Sequence, residues 1–453
     1  MSCRNVSSNC IIVPPLQEYP NFVFRPVSEM SRLLSLVVSI SPRMVPFKGY
    51  LTTSLRKSLS NISNHAISIS LQTSNAVAFN IHQVVGERGK QVNSMRIATV
   101  KTEPITTCLA NNGFTTTYGE EPSVRNHVIV QITSDSGITG VGEACPLPFT
   151  EDDDPVQIRK EIDDQLTQFL LGKDPFNKEV FRDLTEKFPN VGGTARTGVD
   201  LALYDLAAKI RSVPVYQILG GLCREHVEIA AVLGIGTPQF IADEAAHQLN
   251  QGMKSVKIKV GLDVERDIET LKLVRETVGE SAKIRADANT GYSVKQALQV
   301  LKASEELDLE YLEQPLAADD YEGFNQLRKS CSVPIMADES LYTYEDAVTL
   351  IEHEAVDFFG LKLIKHGGIF QTKRIAILAE ENDIECVIIS PWETQIGISA
   401  AVHLVLSGSN FNHAHEIAPG SLKDDPFYGL VKEDGIYQLP KGTGLGITKS
   451  DSV

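Results

Sequence analysis

Regular patterning begins near Met95. Residues 96–103 (Arg-Ile-Ala-Thr-Val-Lys-Thr-Glu) alternate apolar and polar positions as a half-buried strand does. After a polar loop, 124–133 (Val-Arg-Asn-His-Val-Ile-Val-Gln-Ile-Thr) and 137–144 predict two more strands. Helical spacing then runs over 151–188 and 194–211, the latter through Ala195, Val199, Ala202 and Leu206. Strands followed by helices predict an α+β unit. Past Leu219-Gly-Gly the rhythm changes to short apolar strands alternating with amphipathic helices, at a repeat of roughly 25 residues. Strand starts fall near Glu228, Ser255, Lys283, Glu310, Pro334, Asp357, Glu385 and Phe411. Eight such strands close one barrel, and the turn-rich tail beyond about Pro419 stands outside the repeat.

The first ninety residues differ from the rest. Up to Gln91 there is no aspartate, three glutamates face nine Lys/Arg, and serine recurs throughout. An acid-poor, Ser- and Arg-bearing leader reads as a transit peptide for a plastid or mitochondrion. Its apolar core is too short to span a bilayer, and no other apolar run is long enough either, so no membrane partner is expected. The net charge of −16 removes nucleic acid from the list, because phosphate contacts need a basic face. Seven scattered cysteines form no C-x-x-C or His/Cys pattern, which predicts neither zinc nor a disulfide framework. A small-molecule substrate remains, and the sequence leaves a homo-oligomer open.

Barrels of this kind hold their chemistry at the C-terminal ends of the strands. There the third strand ends in Asp287-Ala-Asn289, the fourth in Glu313-Gln-Pro and the fifth in Asp338-Glu339-Ser. Three carboxylates in one barrel mouth repel unless a cation lies among them, and hard oxygen donors with open positions suit Mg²⁺. The second strand carries Lys257 and Lys259, two apart and therefore on one face. Paired ammonium groups are expected to lower each other's pKa, as a lysine base near neutral pH requires. Lys362 ends the sixth strand, diametrically opposite the second in an eight-stranded ring. A substrate between them would offer one face to Lys259 and the other to Lys362, so that removing a proton on one side and returning it on the other inverts a carbon.

These motifs, with Lys362-Leu-Ile-Lys-His-Gly-Gly, Gly198-Val-Asp-Leu-Ala-Leu-Tyr-Asp and Pro214-Val-Tyr-Gln-Ile-Leu-Gly-Gly, resemble the enolase superfamily and its muconate-lactonizing subgroup over residues 95–448. The resemblance implies a modified (β/α)₇β TIM-type barrel at 224–418. It implies a capping domain built from 95–223 and completed by 419–453, behind a leader at 1–94. It further implies Mg²⁺ on Asp287, Glu313 and Asp338, with Asn289 and Glu339 beside these ligands. Lys259 and Lys362 would be the acid/base pair, with Lys257 on the substrate carboxylate.

Within the subgroup the sixth-strand motif looks most like the dipeptide epimerases, which invert the α-carbon of the C-terminal residue. Those enzymes hold the dipeptide ammonium with an Asp-x-Asp at the end of the eighth strand, where this chain reads His415-Glu416-Ile417. His415 is the expected substrate contact there, with Glu416, Asp424 and Asp425 as other candidates. The loop 106–122 contains no lysine or arginine, so a neutral or hydrophobic second residue is expected rather than glutamate. Trp392 would add an apolar wall, or else pack in the core. The alternative reading is an o-succinylbenzoate synthase or N-acylamino acid racemase, which needs no ammonium partner.

Overall fold

The computed structural model describes residues 95–110, 115–148, 150, 154–417 and 422–450. The expected leader lies outside them, as do residues 151–153 and 418–421 around two of the expected boundaries. Strands β1 (Ile97–Leu109), β2 (Val124–Ser134) and β3 (Thr139–Ala144) form an antiparallel meander, and Leu422–Lys423 from the tail adds to the far side of β1. β1 runs six residues past the alternating stretch and through Pro104. The tail pairs with β1 only at Cys108 and Leu109, so the proline sits on a free edge where no donor is required.

Helix α1 (Gly193–Ile210) lies across this sheet. Gly140 and Gly142 on β3 let it approach. A Cβ at either would come within 2.2 Å of the Ala202 carbonyl or 2.1 Å of the Gly198 carbonyl of the helix. The stretch 151–188, expected as one helical run, is two: 155–170, which carries a π-turn at Ile162–Leu166, and Lys178–Glu186, with a break between them. The break falls at Gly172, whose φ of 75° ends a helix, and Asp174-Pro175, which does not continue one.

The second part is the barrel. Seven parallel strands follow in order: Ala230–Leu233, Ser255–Lys259, Lys283–Asp287, Leu309–Glu313, Ile335–Ala337, Phe358–Leu361 and Glu385–Ile388. The eighth, expected from Phe411, shrinks to His415-Glu416, which bridge Ile229 on one side and Ile389 on the other and so close the ring. Phe411 is not available for the sheet because its carbonyl, like that of Ser409, accepts from the Arg224 guanidinium. Between strands and outer helices lies the main core, while Tyr311, Met336, Phe358, Val387 and Ile389 fill the barrel's interior. The fold is a modified TIM-type barrel with an α+β cap. Among the described residues no helix is long and apolar enough to cross a membrane.

The cap also fixes the end of the sixth barrel strand. Thr197 Oγ1 of α1 donates to the Leu363 carbonyl at 2.9 Å, and Asp200 Oδ1 accepts from the Ile369 amide at 2.6 Å. Between these ties Gly368 adopts φ 106°, and a Cβ there would lie 2.3 Å from Asp200 Oδ1. Replacing Gly368 by alanine is therefore expected to destabilise the protein by about 2–4 kcal/mol. Urea unfolding would register the loss, and an unchanged midpoint would remove this tie from the account of how Lys362 is held.

Candidate active site

Side chains alternate along the barrel strands, so every second residue points inward. On the second strand that selects Ser255, Lys257 and Lys259, on the third Arg285 and Asp287, and on the fourth Tyr311 and Glu313. The chain must turn outward directly after each acid. Asn289 and Gln314 do so at φ 39° and 37°, in the left-handed region. Gln314 then ties the fourth strand end to the fifth, its Oε1 accepting from the Asp338 and Ser340 amides and its Nε2 donating to Ser340 Oγ.

At the C-terminal rim lies a cavity of about 230 Å³. Lys257, Lys259, Asp287, Asp338, Glu339, Lys362, Lys365 and Glu416, with the neutral Asn289, form its polar floor. Leu147, Pro148, Ile389, Pro391 and Trp392 form an apolar side wall. The hairpin 115–120 of the cap covers the opposite side. Thr117 Oγ1 donates to the Asn289 carbonyl at 3.0 Å, and the Tyr118 hydroxyl to Glu339 Oε1 at 2.8 Å.

Lysines and carboxylates interleave on the floor. Lys257 Nζ lies 2.6 Å from Glu416 Oε2, 2.7 Å from Glu313 Oε2 and 3.0 Å from Asp287 Oδ2. Lys259 Nζ meets Asp287 Oδ2 at 2.6 Å and Asn289 Oδ1 at 2.8 Å. Across the ring Lys362 Nζ meets Asp338 Oδ2 at 2.6 Å, and Lys365 Nζ meets Asp338 Oδ1 at 2.8 Å. The expectation that Lys257 would be acidified by Lys259 fails. Burial alone would lower its pKa, but Asp287, Glu313 and Glu416 raise it well above the ordinary lysine range. Two lysines on one strand were visible in sequence, whereas the acids facing them come from three other strands. Lys362 is raised in the same way, its burial outweighed by Asp338 and Glu339. Lys365 is lowered, by burial and by Lys362, although Asp338 pulls the other way.

The acids divide. Asp287 and Asp338, despite burial, are held far below the carboxylate range, the first by Lys257 and Lys259 and the second by Lys362 and Lys365. Glu313 is raised well above it, by burial and by Asp287, Glu416 and Asp338 around it. Its Oε1 is buried with no hydrogen-bond partner, as is Oε2 of Glu339. A buried carboxylate oxygen left unsatisfied among like charges is the signature of a place for a cation. The donor set, carboxylates of Asp287, Glu313 and Asp338 from three adjacent strands, suits a hard divalent ion.

His415 does not face this cavity. Its ring is buried on the other side of the two-residue strand, with Nδ1 accepting from the Ile388 amide at 3.0 Å. Alternation turns Glu416 inward instead, where both oxygens are engaged: Oε2 on Lys257, and Oε1 with the Tyr311 hydroxyl at 2.7 Å and Arg285 at 3.6 Å. Asp425 caps backbone amides of Gln395 and Phe427, and neither it nor Asp424 lines the cavity. Trp392 does line it. Arg285, Tyr311 and Lys365 escaped the sequence reading. The first two stand two residues before Asp287 and Glu313, so strand alternation already aimed them inward.

A second buried cluster lies in the cap. Among the described residues, His127, Glu143 and Cys145 are the group of potential metal ligands whose donor atoms fall within 4.8 Å of one another. No sequence spacing marks it, because the register of β2 on β3 brings it together. Glu143 is already saturated: His127 Nδ1 at 2.8 Å, the Thr394 amide and hydroxyl at 2.9 and 2.6 Å, and the Gly397 amide at 3.0 Å. The cluster thus clamps the cap to helix α2 (Gln395–Ser407), which follows the last long barrel strand.

Residues 241–453 match the family model described as enolase C-terminal domain-like, and 110–220 match that of the mandelate racemase / muconate lactonizing enzyme N-terminal domain. The L-Ala-D/L-Glu epimerase of Bacillus subtilis is 35% identical over 79% of this chain and 96% of its own. The N-succinyl-L-Arg/Lys racemase of Bacillus cereus is 32% identical over 74% and 91%. Among solved structures, a dipeptide epimerase from Enterococcus faecalis complexed with Mg and L-Leu-L-Tyr superposes with a TM-score of 0.74. It is 32% identical, over 78% of this chain and 99% of that one.

Proposed function

The chain belongs to the enolase superfamily, with both domains of its mandelate racemase/muconate lactonizing branch, and we propose that it epimerises small dipeptides in a Mg²⁺-dependent reaction. Its racemase and epimerase relatives make it an isomerase. The observation that carries the finer reading is the pair Lys259 and Lys362, which line one cavity from opposed barrel strands above a floor of carboxylates. Asp287, Glu313 and Asp338 would hold Mg²⁺, which when bound would neutralise charge developing on the substrate carboxylate.

The protein's own groups account for the rest. Lys257, kept cationic by Glu313 and Glu416, offers a fixed positive charge to the substrate carboxylate. One of Lys259 and Lys362 removes the α-proton and the other delivers a proton to the opposite face. The carbon is inverted with no net change in composition. Asn289 and Glu339 keep Lys259 and the covering hairpin in register, through Asn289 Oδ1 on Lys259 and Tyr118 on Glu339. The apolar wall of Leu147, Pro148 and Trp392 favours an L-Ala-X dipeptide whose X is neutral or hydrophobic. Glu121, the acid at that end, is already paired with Arg125 at 2.6 Å. A hydrophobic dipeptide epimerase of Enterococcus faecalis is 33% identical to this chain over 71% of it and 91% of its own length.

One observation favours a second reading. Both oxygens of Glu416 are taken, so the eighth strand presents no free carboxylate to a substrate ammonium. An N-acylated amino acid needs none, and the Bacillus cereus relative is named for such substrates. Incubation in D₂O with a dipeptide library and with N-succinyl amino acids separates the two. Deuterium is expected at the α-carbon of L-Ala-X with apolar X. Exchange confined to acylated compounds would overturn the dipeptide assignment.

A further inference from the structure

We infer that Glu393 is a positioning residue that acts through Ser390 to hold Trp392 as a wall of the cavity and so shapes the space for the substrate's second side chain. The part concerning the second side chain rests on the dipeptide reading above. Trp392 adopts φ 73°, a backbone conformation that bulky residues take only where their surroundings dictate it. Part of that dictation is visible. The Trp392 amide donates to Ser390 Oγ at 3.2 Å, and Ser390 Oγ donates to Glu393 Oε2. The flanks of this turn are bolted down. The Ser390 amide is held by the Glu416 carbonyl, Thr394 and Gly397 by Glu143 of β3, and the Gln395 amide by Asp425. Between these fixed ends the Glu393 carboxyl, only 4% exposed, sets the turn that carries the indole.

The surroundings of Glu393 are acidic. A Cβ on Gly397 would fall 2.6 Å from its Cβ and Cγ and 3.1 Å from Glu143 Oε2, so the two glutamate side chains flank one glycine. Glu143 from β3 faces it, with His127 from β2 as that acid's partner. Asp425 and the Tyr437 phenol face the same buried region from the tail, and Lys362 is the nearby cation from the sixth strand. Burial raises the Glu393 carboxyl to about 8, with Ser390 opposing the rise and Glu143 adding to it. Glu143 itself, though buried, is held low by His127. At neutral pH the pair is one carboxylate and one carboxylic acid. Above pH 8 it becomes two buried carboxylates, which is unfavourable unless Glu393 moves to water and takes Ser390 and Trp392 with it.

Trp392 is the single tryptophan of the chain, so its intrinsic emission reports this turn without a label. In protein free of substrate, emission is expected to shift towards that of a more exposed indole with a midpoint near pH 8. Glu393→Gln, neutral at every pH and still an acceptor for Ser390, is expected to hold the low-pH spectrum up to pH 9.5. Ser390→Ala, which breaks the link, is expected to show the shifted spectrum already at pH 7. With a dipeptide of apolar second residue, KM of the wild type relative to Glu393→Gln is expected to rise about tenfold from pH 7 to pH 9, the worth of one lost aromatic contact. A wild-type spectrum that does not move between pH 6.5 and 9.5, or the same transition in Glu393→Gln, overturns the inference. The wild-type titration alone decides this if a variant fails to fold. Because the spectra need no turnover, a protein inactive on dipeptides but showing the transition would refute the proposed substrate and leave the positioning role standing.

Discussion

Lys259→Ala is expected to lower α-proton exchange of one epimer of the substrate by about 10³-fold or more, and Lys362→Ala to do the same for the other. This is the first of two large effects expected from the site. Proton transfer by a positioned side chain is worth about 10²–10⁴ in rate, and water in a closed cavity is a poor substitute. In the proposed mechanism each lysine faces one side of the carbon, so each deletion should silence abstraction from one epimer and protonation towards that same epimer. The floor tolerates either loss. Asp287 keeps Lys257 at 3.0 Å when Lys259 is removed, and Asp338 keeps Lys365 at 2.8 Å when Lys362 is removed. No carboxylate is left alone, so lost activity should come without lost structure. Exchange of each epimer followed separately in D₂O, beside circular dichroism, is the measurement. Full exchange of both epimers by Lys259→Ala would refute the two-lysine assignment.

The second large effect is that of the metal. Excess EDTA is expected to reduce exchange to background and added Mg²⁺ to restore it. The fold should survive chelation, because Asp287, Glu313 and Asp338 each have a lysine partner within 3.0 Å without any ion. Adding Mg²⁺ back at a hundred times its Kd should stabilise the protein by about 2.7 kcal/mol, which denaturant titration reads without any turnover. Activity that persists in EDTA would sink the metal assignment. An active Mg²⁺ form with no added stability would mean the ion binds somewhere that folding does not build.

What could be read from the sequence follows from repeat length. Strands recurring about every 25 residues, each ending in a polar side chain, announce a barrel and its rim. Asp287, Glu313, Asp338, Lys259 and Lys362 all stand out on that basis. Features without a repeat did not. The eighth strand is two residues long, too short for alternation to fix its facing, and a slip of one residue exchanges His415 for Glu416. The state of Lys257 depends on Asp287, 30 positions away, and Glu416, 159 positions away, so counting neighbours along one strand gave the wrong sign. The clamp of His127, Glu143 and Cys145 exists only through the β2–β3 register. The facing of Trp392 depends on a turn with positive φ in a bulky residue, which no propensity predicts.

The closure described above also dictates an order of events. His415-Glu416 complete the barrel, Ile436–Tyr437 pair with Val227–Glu228 beneath it, and Leu422–Lys423 join β1 at the other end of the described chain. On a ribosome, the barrel cannot be finished until Glu416 has emerged, nor the cap sheet until Lys423 has. Helices and hairpins can form early, but the cavity and its interleaved charges are assembled last and together. Contacts of such long sequence separation fold slowly and leave sheet edges open meanwhile. Ending the chain at Asn412, before all three of these pairings, should therefore yield a chain that chaperones retain, rather than a weaker enzyme.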